Sequence, residues 1–168
     1  MLAKVRIAFI AALWLTALST PAAIAQEKLT VLGIEMAIKL DSEKTGGAMA
    51  VIESVVQPGG GPPLHIHSKE DELFYVLEGR FKLWHGDMVM DVGPGDVAYL
   101  KRDGRHTYQN VGPAPGRLLT VITPAGFEGF FRAVAKRGLS APKDMAELNT
   151  LAGEYGVQFV GPPPRSGN

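Results

Sequence analysis

The stretch 59-GGGPPLHIHSKEDELFYVLEG-79 decides how this chain is read. It places His65 and His67 one residue apart, then Glu70, Asp71 and Glu72 in a row, and it ends on Gly79. Alternate side chains of a β-strand share a face, so His65 and His67 point the same way with Ile66 opposite. Two imidazoles on one face can chelate a single cation. The segment from Ser68 to Asp71 reads as a bend, which resets the parity. Glu72 then opens the next strand on the same face as Phe74 and Val76, two residues expected to look into a core. A carboxylate on that face is costly unless a cation compensates it. Glu72 is therefore the expected partner of the two histidines, while Glu70 and Asp71, at the bend, are expected to stay solvated.

Working outward, the pattern stays that of short strands punctuated by Gly, Pro, Asp and Asn. Leu29–Leu40 and Ala48–Gln57 are β-compatible runs separated by a polar turn over Asp41–Gly47. Glu72–Glu78, Phe81–Trp84, Met88–Val92, Val97–Leu100, His106–Val111 and Arg117–Thr123 continue the series. This regular spacing with turn signals indicates an all-β sandwich or barrel in place of βαβ units. A third histidine, His106, shares its parity with Tyr108 and Asn110, so Tyr108 is expected to face the same cavity. His85 falls in the His85-Gly86-Asp87 hairpin turn, where it is expected to be exposed and without a role. Glu53 lies at either the rim or the cavity. After Pro124 the period changes: Phe127, Phe130, Phe131 and Val134 fall on one helical face that ends at Gly138, and a second helix is expected from Pro142 to about Glu154. The phenylalanine face reads as packing or a dimer contact.

These residues carry a specific resemblance. Gly59, His65, His67, Glu72 and Gly79 occupy every fixed position of the first motif of the cupin superfamily. Gly95, His106 and Asn110 match the second motif, but Lys101 stands where that motif has Pro and Asp103 where it has Gly. Gly104 is expected to supply the tight turn one residue late. The chain resembles small single-domain bacterial cupins described as quercetin-dioxygenase-like, over about Leu29–Thr123, and its PAGFEGFF run and GVQFVGPP ending look like theirs. The resemblance implies a cupin-type jelly-roll β-barrel, here with short C-terminal helices. It also implies the metal ligands His65, His67, Glu72 and His106.

The whole chain sets bounds on this reading. It has 168 residues, 46% hydrophobic and 20% charged, which suits one folded domain with a real core. Net charge is zero and no basic run occurs, so nucleic acid is a poor partner. Lys4 and Arg6 precede the apolar run IAFIAALWLTAL, and Ala23-Ile24-Ala25 follows; residues 1–25 read as a secretory signal peptide cleaved after Ala25. The mature chain is then expected to be secreted or periplasmic and not membrane-bound. The organisation expected is a leader at 1–25, a barrel at 26–124 and a helical segment with a tail at 125–168. No cysteine is present, which excludes disulfides, thiolate metal sites and a Cys nucleophile.

Three neutral imidazoles and one carboxylate suit a divalent transition metal ion, with Fe, Mn, Ni, Cu and Zn all open. Four protein ligands leave one or two positions on a five- or six-coordinate ion. An apolar, aromatic surround of Phe74, Val76 and Tyr108 suits a small phenolic or enol ligand, and the resemblance implies a dioxygenase-type oxidoreductase acting on such a substrate. Glu72 and Tyr108 are the expected catalytic groups. The alternatives are a non-enzymatic periplasmic metal or small-ligand binder and a metal-dependent isomerase or lyase. A homodimer is the expected assembly.

Overall fold

A computed structural model describes residues 26–162; the leader read at 1–25 and the last six residues lie outside the described residues. The chain runs as β1 (Glu27–Val31), β2 (Ile34–Leu40), α1 (Ser42–Thr45), β3 (Ala50–Val56), β4 (Leu64–His67), β5 (Asp71–Glu78) and β6 (Phe81–His85). It continues with β7 (Met88–Val92), β8 (Val97–Leu100), β9 (His106–Asn110), β10 (Gly116–Thr123), α2 (Glu128–Arg137), α3 (Met145–Glu154) and β11 (Val157–Gly161). Two antiparallel sheets face each other, ordered β1-β2-β3-β10-β5-β8 and β11-β4-β9-β6-β7. This is the all-β jelly roll with few short helices that the strand spacing and the first motif imply. Among the described residues no helix is long and apolar enough to cross a membrane.

The core follows from strand parity. In β3 the burial alternates strictly, so Ala50, Ile52, Ser54 and Val56 look inward while Glu53 faces out. Phe74, Val76, Phe81, Leu83, Leu118 and Ile122 fill the space between the sheets. Each such side chain removed from water contributes about 1.5–3 kcal/mol. Glu53 sits neither at the rim nor in the cavity: it is on the outer face, paired with Arg117 at 2.6 Å and Lys39 at 2.7 Å.

Three features depart from the pattern of the sequence. The Leu29–Leu40 run is two strands, because Leu32 and Gly33 both take positive φ (51° and 79°) and close a tight hairpin between β1 and β2. The segment VQFVG, which follows a helix and is too short to announce itself, forms β11 and pairs with β4. The phenylalanine face of α2 packs inward: Phe127 and Phe130 are buried, with their rings stacked 5.2 Å apart. That helix ends at Gly138, which takes the left-handed conformation (φ 63°), after Lys136 and Arg137.

The start of α2 is fixed to the barrel by charge. Glu128, buried in the first turn, accepts hydrogen bonds from the backbone N–H groups of Ser42 and Gly126, both at 2.7 Å. Arg132 reaches Glu27 and Asp41, each at 2.8 Å. These ties hold the aromatic face of α2 against the inside of the barrel.

Candidate metal centre

His65, His67, Glu72 and His106 come together as four buried residues, each offering a ligand atom within 4.8 Å of the others. Strand geometry places them. His65 and His67 are the two inward positions of β4, Glu72 is the first inward position of β5, and His106 opens β9, directly across from His65 in the ladder. The ring centroids of His65 and His106 are 4.4 Å apart, and those of His65 and His67 5.1 Å. One link ties the two sequence motifs: the backbone N–H of Asp103 donates to the carbonyl of His67 at 2.7 Å.

The outward-facing ring nitrogens define the tautomers. Nδ1 of His65 is 2.8 Å from the carbonyl of Pro63, and Nδ1 of His106 is 2.9 Å from that of Gly104. A carbonyl only accepts, so both Nδ1 atoms carry hydrogen and both Nε2 atoms turn inward. Nδ1 of His67 is 3.2 Å from the carboxylate of Glu70, which imposes the same tautomer. Inward, His106 Nε2 lies 3.2 Å from Glu72 and His67 Nε2 lies 3.7 Å from it. The His67 Nε2 atom is buried and has no hydrogen-bond partner among the described residues. A buried nitrogen lone pair without a donor, beside a carboxylate and two more imidazoles, fits a cation; the cluster can hold a metal ion.

The electrostatics agree. Burial first, then the neighbouring His106 and His67, pushes the His65 imidazole from 6.5 down to about 3. Burial opposes the Glu72 carboxylate, but His67 and His106 outweigh it and hold the group at about 2. Burial also works against a charged His106, yet its hydrogen bond to Glu72 leaves its affinity for a proton raised. The centre therefore holds one ionised carboxylate and three imidazoles whose ligand atoms face a common point.

Above the cluster lies a cavity lined by both sheets and by α2. His65, Glu72, Tyr108, Ser54 and Thr120 are among its polar lining; Phe74, Met36, Ile52 and Phe127 belong to its apolar side. Tyr108 shares the His106 face as its parity requires, is 5% exposed, and packs edge-on against Phe74 at 5.3 Å. Burial, then the charge of Glu72, raises the pKa of its hydroxyl. Phe127 stands edge-on to the His67 ring at 4.4 Å. Phe130, Phe131 and Phe159 also line the cavity. Their part in the site was hidden in the sequence, because the helical period that groups the α2 residues says nothing of what the face covers.

Three expectations are corrected. Glu70 is not solvated: it is 4% exposed, because the bend after β4 is held under the end of α3 by the Ser68 N–H bond to the Gly156 carbonyl at 2.9 Å. Its spacing of three residues from His67 was the available signal. Asp71 is half-buried and receives Arg102 through its backbone N–H at 2.8 Å and its side chain at 3.0 Å, which lowers its pKa. His85 is half-buried at the end of β6, paired in the ladder with His106, with ring centroids 6.3 Å apart.

The second motif's departures also resolve. Asp103 itself adopts the left-handed turn (φ 66°), so it takes the place of the expected glycine directly. Gly104 serves a different need: a Cβ there would collide with Nε2 of His85.

Residues 52–122 match the family model described as a cupin domain. An uncharacterized protein of Methanocaldococcus jannaschii is 29% identical over 79 residues, which is 47% of this chain and 63% of that protein. The chain thus spans less than two thirds of that curated relative. Among solved structures, a predicted oxalate decarboxylase from Thermotoga maritima superposes with a TM-score of 0.54 at 26% identity, covering 59% of this chain and 91% of that one. An RmlC-like cupin from Shewanella frigidimarina gives a TM-score of 0.53 at 17% identity, covering 62% and 88%. At that identity the second likeness speaks for the fold alone.

Proposed function

We propose that this chain, whose residues 52–122 match a cupin-domain model and whose buried His/Glu cluster can hold a metal ion, is a metal-dependent dioxygenase-type oxidoreductase acting on a small phenolic or enol substrate. His65, His67, Glu72 and His106 would hold the ion. A divalent first-row ion so bound supplies a Lewis-acidic and redox-capable centre with open coordination positions.

The observation that carries the substrate class is the lining of the cavity. It is aromatic and aliphatic, and among the described residues no lysine or arginine lines it. A neutral, flat, apolar body gains from such walls, while an anionic group would be compensated only where it reaches the ion itself. His65, Glu72 and Tyr108 meet on one side of the cavity, and Ser54 and Thr120 add two hydroxyls to the lining. A ligand would therefore lie with its ring toward Phe74 and Phe127 and its oxygen toward the cluster. Tyr108, neutral across the ordinary pH range, would donate a hydrogen bond to that oxygen. Glu72, ionised, would balance positive charge at the centre. The α2 phenylalanines would exclude water from the reacting end.

The likeness to the protein described as a predicted oxalate decarboxylase suggests a different substrate, a small dicarboxylate handled by a lyase. That reading is favoured less because, beyond the ion itself, no cationic side chain among the described residues lines the cavity to hold a second carboxylate. Oxygen uptake separates the two readings. Protein loaded with Fe, Mn, Ni, Cu or Zn in turn should consume O2 with at least one member of a panel of flavonols, catechols and cyclic enols. Carbon dioxide release from oxalate without any O2 uptake across that panel would replace the oxygenase with the lyase. No turnover of either kind would leave a ligand binder.

Export is part of the same proposal, because the leader read at 1–25 would place the reaction outside the cytoplasm. The intact mass of protein recovered from a producing cell should begin at Gln26; a mass retaining residues 1–25 would overturn it.

A further inference from the structure

The three imidazoles of the cluster are held from behind in two different ways. His106 opens β9 and His65 is the second residue of β4, and each uses the carbonyl two residues upstream, of Gly104 and of Pro63, as the acceptor for Nδ1–H. His67 closes β4, and the residue two upstream of it is His65, whose backbone sits in the ladder between β11 and β9. No equivalent carbonyl serves it. Glu70 fills the gap from the bend, with its carboxylate 3.2 Å from His67 Nδ1. Both side chains are buried, His67 completely and Glu70 to 4% exposure.

Burying a carboxylate is costly unless it is bonded, and nothing in the sheet requires one at position 70. Its place against a completely buried imidazole whose other nitrogen lacks a protein partner points to the cluster. We propose that Glu70 is a positioning residue for the metal centre: it locks His67 with Nε2 inward and makes that nitrogen a stronger donor than those of His65 and His106. A charged acceptor withdraws the Nδ1 proton further than a carbonyl does, so electron density rises at Nε2. The cluster would then have one imidazole electronically distinct from the other two. This inference rests on the metal-binding reading of the four residues, not on the identity of the substrate.

The test uses Cu(II) alone as the probe, on the mature chain and its Glu70→Gln and Glu70→Ala variants. Affinity is read by chelator competition, and the remote ring nitrogens of bound imidazoles by pulsed electron paramagnetic resonance. Glu70→Ala should lower Cu(II) affinity by about 10–100-fold. Glu70→Gln, similar in shape and able to accept through its amide oxygen, should lose less. In both, the signal of one remote nitrogen should change and the others stay. Unchanged affinity and spectra in Glu70→Gln and Glu70→Ala, with or without a lower Tm, would reduce Glu70 to a structural group and overturn the inference while leaving the metal centre intact. Wild-type protein that binds no Cu(II) would overturn the metal reading and this inference together.

Discussion

The floor and the walls of the site are built on opposite principles. Three of the four cluster residues lie within eight positions of one another, and the fourth faces His65 directly in the β4–β9 ladder. The apolar wall is assembled from Met36, Ile52, Phe74, Phe127 and Phe159, which come from strands at both ends of the chain and from α2. Chemistry is thus encoded locally, by strand parity, while the shape that selects a ligand depends on how distant segments dock. The two parts should respond differently to substitution: wall changes should alter stability and ligand fit while sparing metal binding, and floor changes should act on metal binding and on the pH dependence of stability.

The largest break on the wall side is Phe127→Ala. It removes a buried ring that touches both His67 and Phe130, and should cost about 3–5 kcal/mol of unfolding free energy. Metal affinity should fall far less than in a cluster variant. Denaturant melts and metal titration on the same preparation check this; equal loss of both would erase the division between floor and wall.

On the floor side, acid should destabilise the metal-free protein. His65 is held at about 3 in the fold against an ordinary 6.5, so the unfolded chain binds the extra proton in between, and stability falls as pH drops from about 6.5 toward 3. Glu72, held at about 2, adds to the loss below about 4.5 for the same reason. His106, whose proton affinity is raised in the fold, offsets part of this, and the net effect is on the order of a few kcal/mol. His65→Asn should flatten the upper part of the profile. An identical Tm-against-pH curve in wild type and variant would contradict the assignment.

Smaller effects lie in the loop that joins the parts. Gly104→Ala should cost about 1–3 kcal/mol, because His85 must move from beneath His106. Asp103→Gly should stabilise slightly, by a few tenths of a kcal/mol, since a left-handed position favours glycine. Chemical denaturation resolves the pair: opposite signs are expected at adjacent positions, and a loss at Asp103 equal to that at Gly104 would contradict the division of roles.

This contrast also explains what the sequence made legible. The alternation of His65 and His67 and the cost of a carboxylate on the Phe74 face identified three residues of the floor, and the resemblance carried by the two motifs added His106 and the jelly roll. Face parity placed Tyr108 correctly as well. It failed at Glu70 and Asp71, where the chain bends and no period applies; the bend is tied to the end of α3, 85 or more residues away, and Asp71 to Arg102. It failed at His85 because a hairpin position says nothing of which loop packs on it. The wall stayed hidden because the α2 pattern reports an apolar face without naming its partner, and β11 because five residues carry too little pattern to mark a strand.

Metal titration of His106→Ala beside the wild type tests the centre most directly. Wild-type protein should bind one divalent ion per chain, with Cu(II) or Zn(II) as the tight cases. The variant should lose at least about 100-fold in affinity, more than the 10–100-fold typical of an outer partner, while keeping a cooperative thermal transition. Full stoichiometry and undiminished affinity in the folded variant would contradict a four-residue centre made of His65, His67, Glu72 and His106.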